Sequence, residues 1–133
     1  MDAFDVIEMV CDIHIGNEPT KYIYLMTTED NSLSKIGLSV DPLRRLDQLK
    51  VARPDLHYNT IYPVPDSIYH RAKKMERLVQ DCYYHRHYDR EWFHDDLQYA
   101  IRDSFRATCD YVVWALTGVK PREITLLDSF CEC

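Results

Sequence analysis

The sequence predicts an α+β domain in which a small three-stranded antiparallel sheet is flanked by helices, with an additional C-terminal helix. Short β-branched and aromatic runs alternate with stretches whose apolar residues recur at spacings of three and four, giving the order α-β-β-α-β-α-α. The strands are too few, and the crossovers too short, for a doubly wound parallel sheet. Size agrees: 133 residues, 46% hydrophobic and 29% charged, suffice for one core.

Residues 2 to 13 place Phe4, Ile7, Val10 and Cys11 at helical spacing, and Gly16-Asn17 ends that helix. Tyr22-Ile23-Tyr24-Leu25-Met26, the polar run from Thr27 to Ser32, and Ser34 to Leu38 read as a hairpin. Asp41-Pro42 starts a helix, because an Asp side chain caps free amides and a proline at the first helical position has no amide to leave unpaired. Leu43, Leu46 and Leu49 form its apolar stripe, and Arg53-Pro54 breaks it. Tyr58 to Val64 reads as the third strand, closed by Pro63 and Pro65. Asp66-Ser67 is expected to cap a helix running to about His87, with Ile68, Ala72, Met75, Val79 and Cys82 on one face. Asp95 and Asp96 are expected to open the last helix, whose stripe of Leu97, Ile101, Phe105, Thr108, Val112 and Ala115 ends at Gly118. In this reading residues 1–19 are an N-terminal helix and linker, 20–94 the central unit, and 95–133 a helix and tail packed on the same domain.

No apolar run approaches the roughly 18–20 residues that cross a bilayer, and the N-terminus is acidic. Neither membrane insertion nor export is expected, which places the protein in the cytoplasm. Five cysteines, Cys11, Cys82, Cys109, Cys131 and Cys133, form an odd set without framework spacing and suit reduced thiols. Cys82 is read as a buried small hydrophobe.

The formal net charge of -6 counts against binding nucleic acid by bulk electrostatics. The charge is unevenly placed, however. From Lys35 to Arg90 eleven basic residues stand against seven acidic ones, a balance of +4, while the remainder carries five against fifteen, or -10. Four of the six histidines, His57, His70, His85 and His87, also lie in the basic stretch. The middle of the chain therefore reads as the working surface, although solvated helix faces would produce the same asymmetry.

Five strings stand in order along that middle: Tyr22-Ile23-Tyr24, Lys35-Ile36-Gly37, the stretch from Gly37 through Asp41-Pro42 to Arg44-Arg45, Met75-Glu76-Arg77-Leu78, and Arg90-Glu91-Trp92-Phe93. Together they resemble the GIY-YIG nuclease superfamily, in the phage-rich branch where the second motif reads KIG and a later segment reads EWF. The resemblance implies hydrolysis of DNA phosphodiester bonds with one divalent metal, and it suggests roles by position. Glu76 would hold Mg²⁺ or Mn²⁺ through a hard oxygen, with water and phosphate in the other positions. Arg45 would bind the scissile phosphate and offset its growing charge. Tyr24 would orient or deprotonate the attacking water, a role that requires its pKa to fall from about 10 towards neutrality beside the metal and Arg45. Lys35 would bring a second positive charge to the phosphate or hydrogen-bond to Tyr24. Tyr22, Arg44, His85 and His87 are candidates for substrate contact, the two histidines as part of a stacking or phosphate-binding surface with Tyr83, Tyr84 and Tyr88.

The chain departs from the family pattern at four places. Tyr22 replaces the glycine of the first motif, Gln80 stands where many relatives have histidine, Arg90 stands where glycine usually precedes EWF, and Glu91 falls near the place of a distal asparagine. Each candidate also has a purely structural explanation. Tyr22 and Tyr24 share a strand face and would pack against a helix, Arg45 would pair with Asp41, and Glu76 would pair with Lys73. Trp92 and Phe93 are expected in the core. Three functions compete: a metal-dependent DNA endonuclease, which as a homodimer would cut two strands; a nucleic-acid-binding module on the same fold without turnover; and an interaction or inhibitory protein acting through the acidic ends, residues 1–30 and 95–133, the C-terminal one docking a protein partner.

Overall fold

The computed structural model describes residues 19–96 and 100–119. The helix expected over residues 2 to 13, and the acidic tail beyond residue 119, lie outside the described residues. In chain order the elements are β1 (Tyr22–Thr28), β2 (Leu33–Ser39), α1 (Pro42–Lys50), β3 (Leu56–Pro63), α2 (Ala72–Cys82), β4 (His87–Asp89), β5 (Trp92–His94) and α3 (Ile101–Thr117). The strands form one antiparallel sheet in the order β3-β1-β2-β5-β4. The class is α+β, but the sheet has five strands where three were expected.

The two extra strands arise where the sequence alone suggests the end of a helix and an unassigned segment. α2 stops at Cys82 because Tyr83 turns into the core, where its hydroxyl meets Ser104 Oγ at 2.6 Å and Thr108 Oγ1 at 3.0 Å. After a single turn over Tyr84–Arg86, β4 and β5 pair across Arg90, which holds a left-handed φ of 51°. Each strand is three residues long, too short for hydrophobic periodicity to register. Cys82 itself is exposed, contrary to expectation, and among the described residues Cys109 on α3 is the buried thiol.

Helix starts also moved. Asp66–Arg71 forms a tight 3-10 turn without a side-chain cap, and Ile68, at φ −124° and ψ 24°, breaks the helical path before α2. Asp95 does not begin a helix, because its carboxylate turns inward. It accepts from Ser34 Oγ at 2.5 Å, from the Asp96 amide at 2.9 Å and from the amide of Ile101, the first residue of α3, at 2.9 Å. Arg86 Nη1 stands 3.9 Å away. The same carboxylate thus ties β2 to the start of α3. By contrast, Asp41 accepts from the Arg44 amide at 3.2 Å with Pro42 at the first helical position, as expected, and α3 ends at Gly118 in a left-handed conformation.

Every residue of β1 is buried, because helices cover both sides of the sheet centre. Ile23, Leu25, Ile36 and Phe93 face α2 and α3 in one core, with Met75, Val79, Phe105 and Cys109. Tyr22, Tyr24, Met26, Tyr58 and Ile61 face the other way, beneath Leu43, Leu46 and Leu49 of α1, with Trp92 packed at the side. Strand alternation therefore decides which chemistry lies on which side.

Candidate active site

The side beneath α1 carries the motif tyrosines and, on the neighbouring strand, Lys35 and Gly37. The β1–β2 register sets Tyr24 opposite Gly37 and Met26 opposite Lys35. The Tyr24 ring lies across Gly37 so closely that a Cβ built on the glycine would overlap the ring and its hydroxyl. This glycine is needed for approach, not for backbone conformation. Arg45, one turn into α1, reaches down to hydrogen-bond the Tyr24 hydroxyl and holds Gln48 Oε1 at 3.4 Å.

Glu76 and Gln80, four residues apart on α2, seal the outer edge of β2 where β5 no longer pairs with it. Gln80 Nε2 donates to the Ile36 carbonyl at 2.9 Å, and the Leu38 amide donates to the Glu76 carboxylate. An open strand edge left unsatisfied would be costly, which gives Gln80 a structural reason. Glu76 is 7% exposed. Lys73 Nζ lies 3.9 Å from it.

Glu91, the residue before β5, brings a second carboxylate. Lys35 is 7% exposed, and its ammonium pairs with Glu91 Oε2 at 3.2 Å. The Glu91 carbonyl in turn accepts from the Ile36 amide at 3.1 Å. In the sequence Glu91 stands out only by its place in the chain. Its partnership with Lys35 could not be read there, because it depends on the β2–β5 pairing.

These groups feel one another. Burial pushes the Tyr24 hydroxyl up to about 12, against the pull of Arg45, and the charges of Glu91 and Glu76 act in the same direction as burial. Tyr24 is therefore a neutral hydroxyl at physiological pH, opposite to the fall towards neutrality that a general base would need. Burial also raises the Glu76 carboxyl, Glu91 adds to the rise, and Lys73, the Leu38 amide and Lys35 oppose it. Two carboxylates, three cations and a phenol thus share one corner of the molecule, where strand pairing, α1 and α2 meet.

The structure brings together Tyr24, Lys35, Arg45 and Glu76. It places the other candidates differently. Tyr22 is buried on the same side of β1 as Tyr24, and Arg44 is exposed on α1. His85 is exposed in the turn before β4. His87 stands opposite Phe93 and packs edge-on against its ring, on the side away from Tyr24, with Nε2 2.9 Å from the Arg90 carbonyl. Phe93 is core, as expected, while Trp92 is half-buried.

Among the described residues no group of three or more His, Cys, Asp or Glu side chains is placed to hold a metal ion. Glu76 is the carboxylate that suits a hard divalent cation, since a cation there would offset both its burial and the repulsion from Glu91. Phosphate and water oxygens would have to complete the shell. Among the described residues no helix is long and apolar enough to cross a membrane.

No curated protein and no solved structure matches the chain. The family model of the T5orf172 domain matches residues 21–107, a span that opens at β1, runs into α3 and includes Tyr24, Lys35, Arg45, Glu76 and Glu91, and the chain belongs to the T5orf172 domain family.

Proposed function

We propose that the protein is a metal-dependent endonuclease that hydrolyses DNA phosphodiester bonds through a GIY-YIG-like site. The observation that carries this reading is the convergence of Tyr24, Lys35, Arg45 and Glu76, drawn from four separate elements, on one corner of the sheet. Arg45 binds the phosphate, its guanidinium matching two oxygens. The Tyr24 hydroxyl, held by Arg45 and neutral, orients the attacking water by hydrogen bonding instead of taking its proton. Lys35 is paired with Glu91 and balances the carboxylates. Glu76 provides the hard oxygen for Mg²⁺ or Mn²⁺, which when bound would polarise the phosphate and stabilise the charge that develops on it.

A second reading has a specific observation in its favour. Lys35 is engaged by Glu91 at 3.2 Å and so balances a carboxylate instead of a scissile phosphate, which suits a nucleic-acid-binding module with little or no turnover. Incubating wild-type and Glu76→Ala protein with supercoiled, linear and single-stranded DNA, with Mn²⁺ or Mg²⁺ and with chelator, separates the two. Cleavage that needs metal and disappears in Glu76→Ala supports the nuclease. Binding without cleavage supports the module.

A further inference from the structure

The side of the sheet that holds Tyr24 continues outward beyond α1 onto β5 and β4. Trp92 stands opposite Lys35 in the β2–β5 register, with Lys35 Nζ 5.2 Å and the Arg53 guanidinium carbon 5.9 Å from the indole centroid. Arg53 is held in a two-point ion pair with Asp55, 3.1 Å at each contact, which fixes the plane of its fork. Further out, Tyr88 of β4 meets His94 of β5 edge to face at 5.0 Å. Tyr88 is 58% exposed and lies within electrostatic reach of Arg53.

The surface therefore sets two ion-paired cations, Lys35 with Glu91 and Arg53 with Asp55, beside exposed ring faces. It begins at Lys35, inside the cluster described above. We propose that Trp92, Tyr88 and His94 form a stacking track for unpaired bases, beside the ion-paired Lys35 and Arg53. The chain then takes single-stranded or locally opened nucleic acid alongside the Tyr24 corner. Base-on-ring stacking tolerates any sequence, and cations beside the rings add to it. The inference rests on the nucleic-acid reading and deepens it by naming the substrate class.

Two tryptophans are present, Trp92 and Trp114, so a Trp114→Phe protein leaves Trp92 as the only indole. Titrating that protein with oligothymidine is expected to quench its fluorescence, and duplex DNA of equal length is expected to quench it less. In anisotropy measurements Tyr88→Ala is expected to weaken oligothymidine binding by about tenfold, the size usual for losing one stacked base. Tyr88→Phe, which keeps the ring, should retain the affinity, as should Tyr111→Ala on the distant face of α3. Oligothymidine binding that leaves Trp92 fluorescence and the Tyr88→Ala affinity unchanged overturns the track while leaving the nucleic-acid reading intact. Failure of the wild type to bind either nucleic acid removes both.

Discussion

Tyr24 and Gly37 face each other across β1 and β2, and the phenol ring fills the volume that any side chain at position 37 would need. Gly37 is thus the seat of Tyr24. Gly37→Ala is expected to destabilise the fold by about 1–3 kcal/mol, the usual cost of overpacking, and to pull Tyr24 away from Arg45. Urea denaturation measures the first effect and DNA cleavage the second.

Tyr24→Phe removes the hydroxyl but keeps the ring over Gly37. If the hydroxyl orients water, cleavage should fall by about a hundredfold or more with DNA affinity nearly unchanged. The pH dependence has a definite sign. The folded-state pKa of about 12 exceeds the ordinary value of 10.0, so the contribution of Tyr24 to stability is complete below pH 10 and is lost as pH rises towards 12. A difference of that size corresponds to roughly 3 kcal/mol. Alkaline unfolding should therefore set in at higher pH in Tyr24→Phe than in the wild type.

Glu76 is held at a cost to stability. Because burial raises its folded-state pKa, its contribution is fully present below the ordinary carboxylate value and is lost as pH rises through the raised one. Glu76→Gln should match the wild type in acid and exceed it in thermal stability at neutral pH. Calorimetric titration with Mn²⁺ should show weakened binding by the same variant. A site that gains stability as it loses metal is the expected signature of a functional carboxylate.

Much of this was legible in the sequence. The leucine stripe and Asp41-Pro42 start of α1, the hairpin and the end of α3 at Gly118 all follow from local rules, and the motif strings singled out the four residues that converge. What was not legible depends on partners distant in the chain. Asp95 reads as a helix cap until Ser34 and Ile101 are seen to claim it, and Glu91 reads as a loop acid until β5 sets it beside Lys35. Tyr83 reads as helix because its hydroxyl partners lie on α3.

Asp95 carries enough of that long-range wiring to test. Asp95→Ala would strip Ser34 and the α3 amide of their shared acceptor, at an expected cost of about 3 kcal/mol. The loss should be read in the denaturation midpoint, and hydrogen exchange at the first amides of α3 should quicken before the rest of the helix is affected.

Arg90 offers the opposite case. A left-handed φ of 51° is strained for any residue with a side chain, so Arg90→Gly should stabilise the β4–β5 turn by about 1 kcal/mol. A midpoint unchanged or lowered by the substitution would show that the arginine side chain compensates the strain.

The sheet order has a consequence for how the molecule comes into being. β1 and β2 are adjacent in the chain, and α1 follows at once, so Tyr24, Gly37 and Arg45 can assemble from the earliest part of the described fold. Glu76 and Glu91 arrive far later, and β5 must return to the edge of β2 before the corner is complete. A ribosome-bound chain, folding from its N-terminal side, therefore holds the phenol and guanidinium before it has either carboxylate. On the reading proposed, its capacity to cut is switched on by the closing of the sheet, and an unfinished copy is harmless to the nucleic acid around it.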